Sequence, residues 1–257
     1  MRKPYSIIYV SVICAEFSSA QITEKGEESV MFLKVFSIVL FVVLSATTVY
    51  IASLYIKRRL CKEAVDDSNN KQLVGRELYI WMGISALVSL VAGLLIYDKT
   101  TSLLSFYKIV FIYLATSVIA ITDVKLRIIP NIVSVILLIG GVIFHITDII
   151  ILHNQTDIIS QILIYNVVAS ILVVIVLWVL SLVTRNGMGF GDIKYLGALC
   201  FTGGITLLLV SLSVSLICSL VVGVACVVRK KKKMKDTIPF GPFIMLGVVA
   251  CIFTGLM

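Results

Sequence analysis

The sequence predicts an all-α, polytopic membrane fold of about eight transmembrane helices, and three observations carry that expectation. Of 257 residues, 60% are hydrophobic and only 14% charged, with a mean hydropathy of +1.09; such a chain cannot cover a core with a water-compatible surface. The apolar runs come in lengths near the roughly 20 residues that a helix needs to cross about 30 Å of hydrocarbon, and none alternates with the period of a barrel strand. The basic residues gather in the breaks between runs instead of interleaving with aromatics. The net charge of +8 therefore reads as membrane topology and not as a nucleic-acid surface.

Residues 1–30 form a separate N-terminal segment with two readings. Arg2 and Lys3, the apolar run from Ile7 to Ala15 and the small residues Ser18, Ser19 and Ala20 resemble a signal peptide with a short core. Alternatively, translation starts at Met31, because Lys25-Gly26-Glu27 is what a purine-rich ribosome-binding site encodes when read in frame. The second is preferred.

The membrane domain then occupies residues 31–257, with spans expected at 31–56, 78–97, 105–122, 132–152 and 158–184. An apolar stretch from Tyr195 to Val228 follows, and a last span at 240–257. At 34 residues that stretch exceeds one crossing, yet Arg185 and Lys194 flank one end and Arg229–Lys235 the other. An even number of crossings keeps both flanks on one side, so a break is expected at Thr202-Gly203-Gly204. Sixteen of the 22 Lys and Arg then share a face, in residues 57–77, 229–235 and the loops beside Asp123 and Asp192. The opposite loops are poor in cations, with Lys99 alone in 98–104 and none from His153 to Asp157. By the positive-inside rule the rich face is cytoplasmic. The run Arg229–Lys233 reads as a solvated anchor near anionic lipid.

Six cysteines, Cys14, Cys61, Cys200, Cys218, Cys226 and Cys251, include no CxxC pair. No metal site, disulfide framework or cofactor is expected from them.

Asp123 and Asp192 carry the chemical interest, since each lies where an apolar run meets a short basic loop on the same face. Two acids that share one proton can hydrolyse a peptide bond, one deprotonating water while the other protonates the scissile carbonyl; like-charge repulsion drives their pKa values apart. Gly187, Gly189 and Gly191 precede Asp192 and would let the backbone bend sharply and a substrate strand approach. A nucleotide-binding loop is excluded, because a membrane helix and not a strand precedes the glycines. Plainer alternatives stay open: Asp192 as N-cap of the next helix, and Asp123 as an interfacial acid paired with Lys125 or Arg127. Pro130 interrupts the chain before the next span, which Asn131 can cap, and Pro239, Gly241 and Pro242 create irregular backbone before the last helix. From these residues alone a small transporter or channel is the rival, although transport sites lie near the midplane and these acids at one edge.

Three motifs occur in order: Asp123 with Ile129-Pro130-Asn131, then Gly189-Phe190-Gly191-Asp192-Ile193-Lys194, then Ile238-Pro239-Phe240-Gly241-Pro242-Phe243. Together they resemble the catalytic domain of the type IV prepilin peptidases, membrane aspartyl proteases of the GxGD kind, over approximately residues 75–257. The resemblance implies catalytic roles for Asp123 and Asp192, with Gly189, Gly191, Lys194, Pro130, Asn131, Pro239, Gly241 and Pro242 shaping the site. It implies cleavage of basic leaders from prepilins or pseudopilins at the cytoplasmic face of the bacterial cell membrane. The partners expected are those substrates and the lipid bilayer, with no nucleic acid; a homo-oligomer is compatible with the sequence, which does not set the oligomeric state. Longer members of the family carry a cytoplasmic CxxC domain, linked to zinc and to methylation of the new N-terminus. Residues 57–77 hold Cys61 alone, so a short form without the zinc element is expected and methylation is doubtful.

Overall fold

The computed structural model describes residues 24–62, 87–91, 93–94, 103–151, 156–184, 189–228 and 239–254. Among them the chain is helical and contains no strand: α1 (Glu24–Lys62), α2 (Leu103–Leu126), α3 (Asn131–Ile151), α4 (Thr156–Val183), α5 (Phe190–Val228) and α6 (Gly241–Thr254). Five of these hold segments long and apolar enough to cross a membrane, Phe36–Ile56, Leu104–Leu126, Asn131–Ile151, Ile159–Val183 and Phe190–Cys226, while α6 is apolar but shorter. The expected total of about eight is not reached among the described residues. The span expected at 78–97 lies largely outside them, as do residues 1–23 of the N-terminal segment, residues 63–77 of the first loop and the basic cluster at 229–235.

Helix is the only open element that satisfies its own backbone in hydrocarbon, and the hydroxyls along these helices follow the same rule. Ser117 donates to the Tyr113 carbonyl at 2.8 Å and Thr122 to that of Val118 at 2.9 Å, bonds by which a hydroxyl in an apolar run finds an acceptor on its own helix; the buried hydroxyls of Ser134 and Ser211 find none among the described residues. Helix α2 packs against α1, α3, α5 and α6, and α5 against α2, α3, α4 and α6. Phe41 of α1 meets Tyr113 of α2 edge-on at 5.3 Å, and Leu137, Leu196, Leu199, Leu207 and Ile244 complete a fully buried centre. In contrast, α4 presents Ile164, Ile171, Leu172 and Ile175 outward, as a helix lying against acyl chains does.

The expected break in the long apolar stretch is present. Gly204 has φ 83° and ψ 167°, a conformation essentially reserved for glycine, and it divides α5 into two limbs. A break frees backbone carbonyls, which must find donors inside a membrane. His145 of α3 answers this need with its Nε2 at 3.1 Å from the Phe201 carbonyl oxygen, and its ring meets that of Phe201 edge-on at 5.1 Å. Thr202 bridges the same helices, its hydroxyl lying 3.0 Å from the Leu137 carbonyl.

Helical rise indicates where the second limb goes. At 1.5 Å per residue a straight α5 would carry Ser211 about 28 Å from Asp192. Yet Gly247, only about 9 Å along α6 from Gly241 by the same rise, packs directly on the Ser211 backbone. The break therefore turns α5 back so that its second limb runs beside α6.

Gly247 is where that packing is least forgiving, because a Cβ there collides with main chain that cannot rotate aside. Gly247→Val is expected to cost about 1–3 kcal/mol of stability, read as earlier thermal unfolding in detergent. Leu246→Val, at a side chain 52% exposed, should leave the transition nearly unmoved.

Candidate active site

Asp123 stands in the last turn of α2, not in a loop beyond it. The helix outlasts the expected span 105–122 because backbone geometry and not hydropathy ends it. The Arg127 N–H donates to the Asp123 carbonyl at 2.9 Å, and Arg127 adopts φ 51°, a left-handed helix end. The chain then reaches α3 through Ile128, Ile129 and Pro130. Ile129 and Pro130 are buried and Asn131 is exposed. The Val133 N–H donates to the Pro130 carbonyl at 3.0 Å, so Pro130 occupies the capping position expected of Asn131.

The Asp123 side chain is 8% exposed, and its Oδ2 accepts a hydrogen bond of 2.6 Å from the Gly241 N–H. Gly241 opens α6. The Phe240 carbonyl closes that helix's first turn, accepting from Phe243 at 3.1 Å and Ile244 at 3.2 Å, and Pro242 has no N–H to offer. The free Gly241 amide, at the positive end of the α6 dipole, thus points at a carboxylate from another helix. Glycine suits the close approach: a Cβ on Gly241 would lie tightly, 3.0 Å from the Asp123 Cβ, 3.1 Å from its Oδ2 and 3.2 Å from the Ala120 Cα, so that its neighbours would have to give by a few tenths of an ångström. Pro239 and Pro242 are half-buried on either side. Ile238 lies outside the described residues.

Asp192 is the third residue of α5. The Gly189 carbonyl accepts from the N–H groups of Asp192 at 3.1 Å and Ile193 at 3.4 Å, which gives the capping position to Gly189. The alternative of Asp192 as N-cap is thereby corrected: it lies inside the first turn, where a carboxylate is favoured by the helix dipole. It is half-buried, its Oδ2 lies 3.1 Å from where a Cβ on Gly189 would sit, and it is within electrostatic reach of Asp123. Gly191 rests on the α2–α3 connection, with space of only 3.3 Å between its would-be Cβ and that of Ile129. Gly187 lies outside the described residues. Lys194 is exposed, its Nζ 4.8 Å above the Phe190 ring, a cation–π contact on the surface of the same turn.

The three motifs thus converge on one place: Asp123 bonds to Gly241, Gly191 abuts Ile129, and Asp192 senses the Asp123 charge. Sequence reasoning missed Ile129 as the wall behind Gly191. It also missed Tyr195, whose hydroxyl is 2.9 Å from that of Thr116; a lone tyrosine three residues after Asp192, at the head of an apolar run, was the available signal. Among the described residues no group of three or more His, Cys, Asp or Glu is placed to hold a metal ion.

Residues 109–224 match the family model of the type IV leader peptidases. Over that stretch, somewhat under half of its length, the chain is similar to that family. No curated protein and no solved structure matches it. The matched stretch holds Asp123, Asp192 and the glycines before Asp192, and stops short of α6. The amide that grips Asp123 therefore comes from outside the matched stretch.

Gly241→Ala tests that grip. The added methyl must push α6 away from α2, lengthening the bond to Asp123, and is expected to cost about 1–3 kcal/mol in thermal unfolding.

Proposed function

We propose that the chain is a membrane aspartic endopeptidase that removes the leader from type IV prepilins or pseudopilins, with Asp123 and Asp192 sharing one proton across a water molecule. The observation that carries this is the position of the Asp123 carboxylate, buried, bonded to the Gly241 amide and electrostatically coupled to Asp192. Two carboxylates so placed resist ionising together, which yields one acid and one base in the same site.

The Gly241 N–H donates to Asp123 Oδ2 and holds that carboxylate in place as an acceptor, so the reaction is written with Asp123 as the base and Asp192 as the proton donor. Asp123 takes a proton from water as the water oxygen bonds to the scissile carbonyl carbon, and Asp192 protonates the carbonyl oxygen. The resulting diol collapses when Asp123 returns its proton to the leaving nitrogen and Asp192 recovers one from a hydroxyl. The carbon–nitrogen bond breaks, and both acids end as they began.

The charge pattern supports a cytoplasmic site, with the loops beside both aspartates among the cation-rich ones. A leader rich in Lys and Arg would approach a pair carrying about one negative charge while the substrate's apolar helix stays in lipid. About eight membrane helices remain the proposed total, counting the two limbs of α5 separately and including a span near 78–97. Methylation of the cleaved product is not proposed.

The test mixes detergent-purified protein with a prepilin and follows loss of the leader. Asp123→Asn and Asp192→Asn are each expected to reduce cleavage by roughly 10²–10⁴, with thermal unfolding showing that the proteins remain folded. A variant that cleaves at the wild-type rate removes its residue from the mechanism.

A further inference from the structure

Tyr195 and Thr116 have no part in the chemistry above, yet both are fully buried, with no exposed surface. The Tyr195 hydroxyl donates to Thr116 Oγ1 at 2.9 Å, and Thr116 Oγ1 donates in turn to the Ile112 carbonyl at 2.8 Å. Every proton in this two-bond chain is used, as a buried polar group in an apolar setting requires.

Its position makes it more than a satisfied core tyrosine. Tyr195 follows Asp192 by three residues on α5, and Thr116 precedes Asp123 by seven on α2. At 100° per residue those separations place each hydroxyl near the face of the aspartate on its own helix. The bond thus joins the two aspartate-bearing helices about one to two turns below the carboxylates. The neighbouring hydroxyls of α2, Ser117 and Thr122, bond back to their own helix; that of Thr116 also receives one from across the interface.

We infer that the Tyr195–Thr116 hydrogen bond is a positioning strut that fixes the separation of Asp123 and Asp192. The inference deepens the proposed peptidase function and rests on it. Neither residue touches the substrate; each acts through an aspartate. A proton shared between two acids needs one spacing, and a small misplacement of catalytic groups is costly.

Prepilin cleavage is compared for wild type, Tyr195→Phe, Thr116→Val, Thr116→Ser and the double variant Tyr195→Phe/Thr116→Val. Tyr195→Phe and Thr116→Val should each lower kcat by roughly ten- to a hundredfold, leave KM within about twofold and narrow the pH range of activity. Thr116→Ser keeps the hydroxyl and should stay close to wild type. The double variant should fall no further than the worse single one, because both changes remove one bond. Multiplying losses, an unchanged pH profile, or a serine variant as poor as the valine one would overturn the strut.

A second readout needs no catalysis. In a protein with its native cysteines replaced, Asp123→Cys and Asp192→Cys are joined by a short bifunctional thiol reagent, with and without Tyr195→Phe. Slower or scattered cross-linking in the phenylalanine variant supports the strut, and equal cross-linking overturns it. If wild type cleaves no prepilin, the proposed function fails while this distance measurement still decides the strut.

Discussion

The hydrogen bond from the Gly241 amide to the Asp123 carboxylate joins residues 118 apart in sequence, and much of the surrounding packing follows from it. Bringing the start of α6 to the end of α2 is easiest with glycine at 241, since a Cβ there presses on Asp123 and Ala120. The chain needs α6 to run beside the second limb of α5, where Gly247 lets the backbones touch. That limb in turn can stand there only if α5 turns back at Gly204. A carboxylate, a helix start and a helix break are therefore one construction, in which each element would lack its partner without the other two.

The break places a cost deep in the apolar layer, and a side chain of the neighbouring helix helps to meet it. His145 of α3 lies against the Phe201 carbonyl, while Thr202, on α5 itself, ties the two helices together through the Leu137 carbonyl. Buried polar residues of this kind often signal an ion pathway in membrane proteins. Here their bonds go to backbone at and near the kink, which gives them a structural task and weakens the case for a transporter.

Much of this was legible in the sequence because the bilayer imposes simple rules. Hydropathy and length located α3 and α4 within a few residues, and the conflict between the long run Tyr195–Val228 and its two basic flanks pointed to the break at Gly204. Helix ends were less legible. The last turn of α2 and the first of α5 are polar, yet a helix can continue beyond the hydrocarbon, and its end is set by local caps such as Gly189 and the left-handed Arg127. Long-range pairing was not legible from residue patterns. Nothing in the order of residues says that Gly241 meets Asp123, that Ile129 backs Gly191, or that Tyr195 finds Thr116. The motif resemblance singled out most of the residues, and the packing of helices supplied their relations.

The claim on which the functional account stands is that Asp123 and Asp192 act as one proton-sharing unit, and the pH dependence of wild-type prepilin cleavage tests it most directly. The active form carries one proton between the two acids. At low pH the pair becomes doubly protonated and loses its base, and at high pH it loses the shared proton and with it the acid. The account predicts a bell-shaped profile of kcat/KM with two ionisations that belong to the pair. A profile that rises through a single ionisation to a plateau would mean that the two carboxylates work independently, and would contradict it.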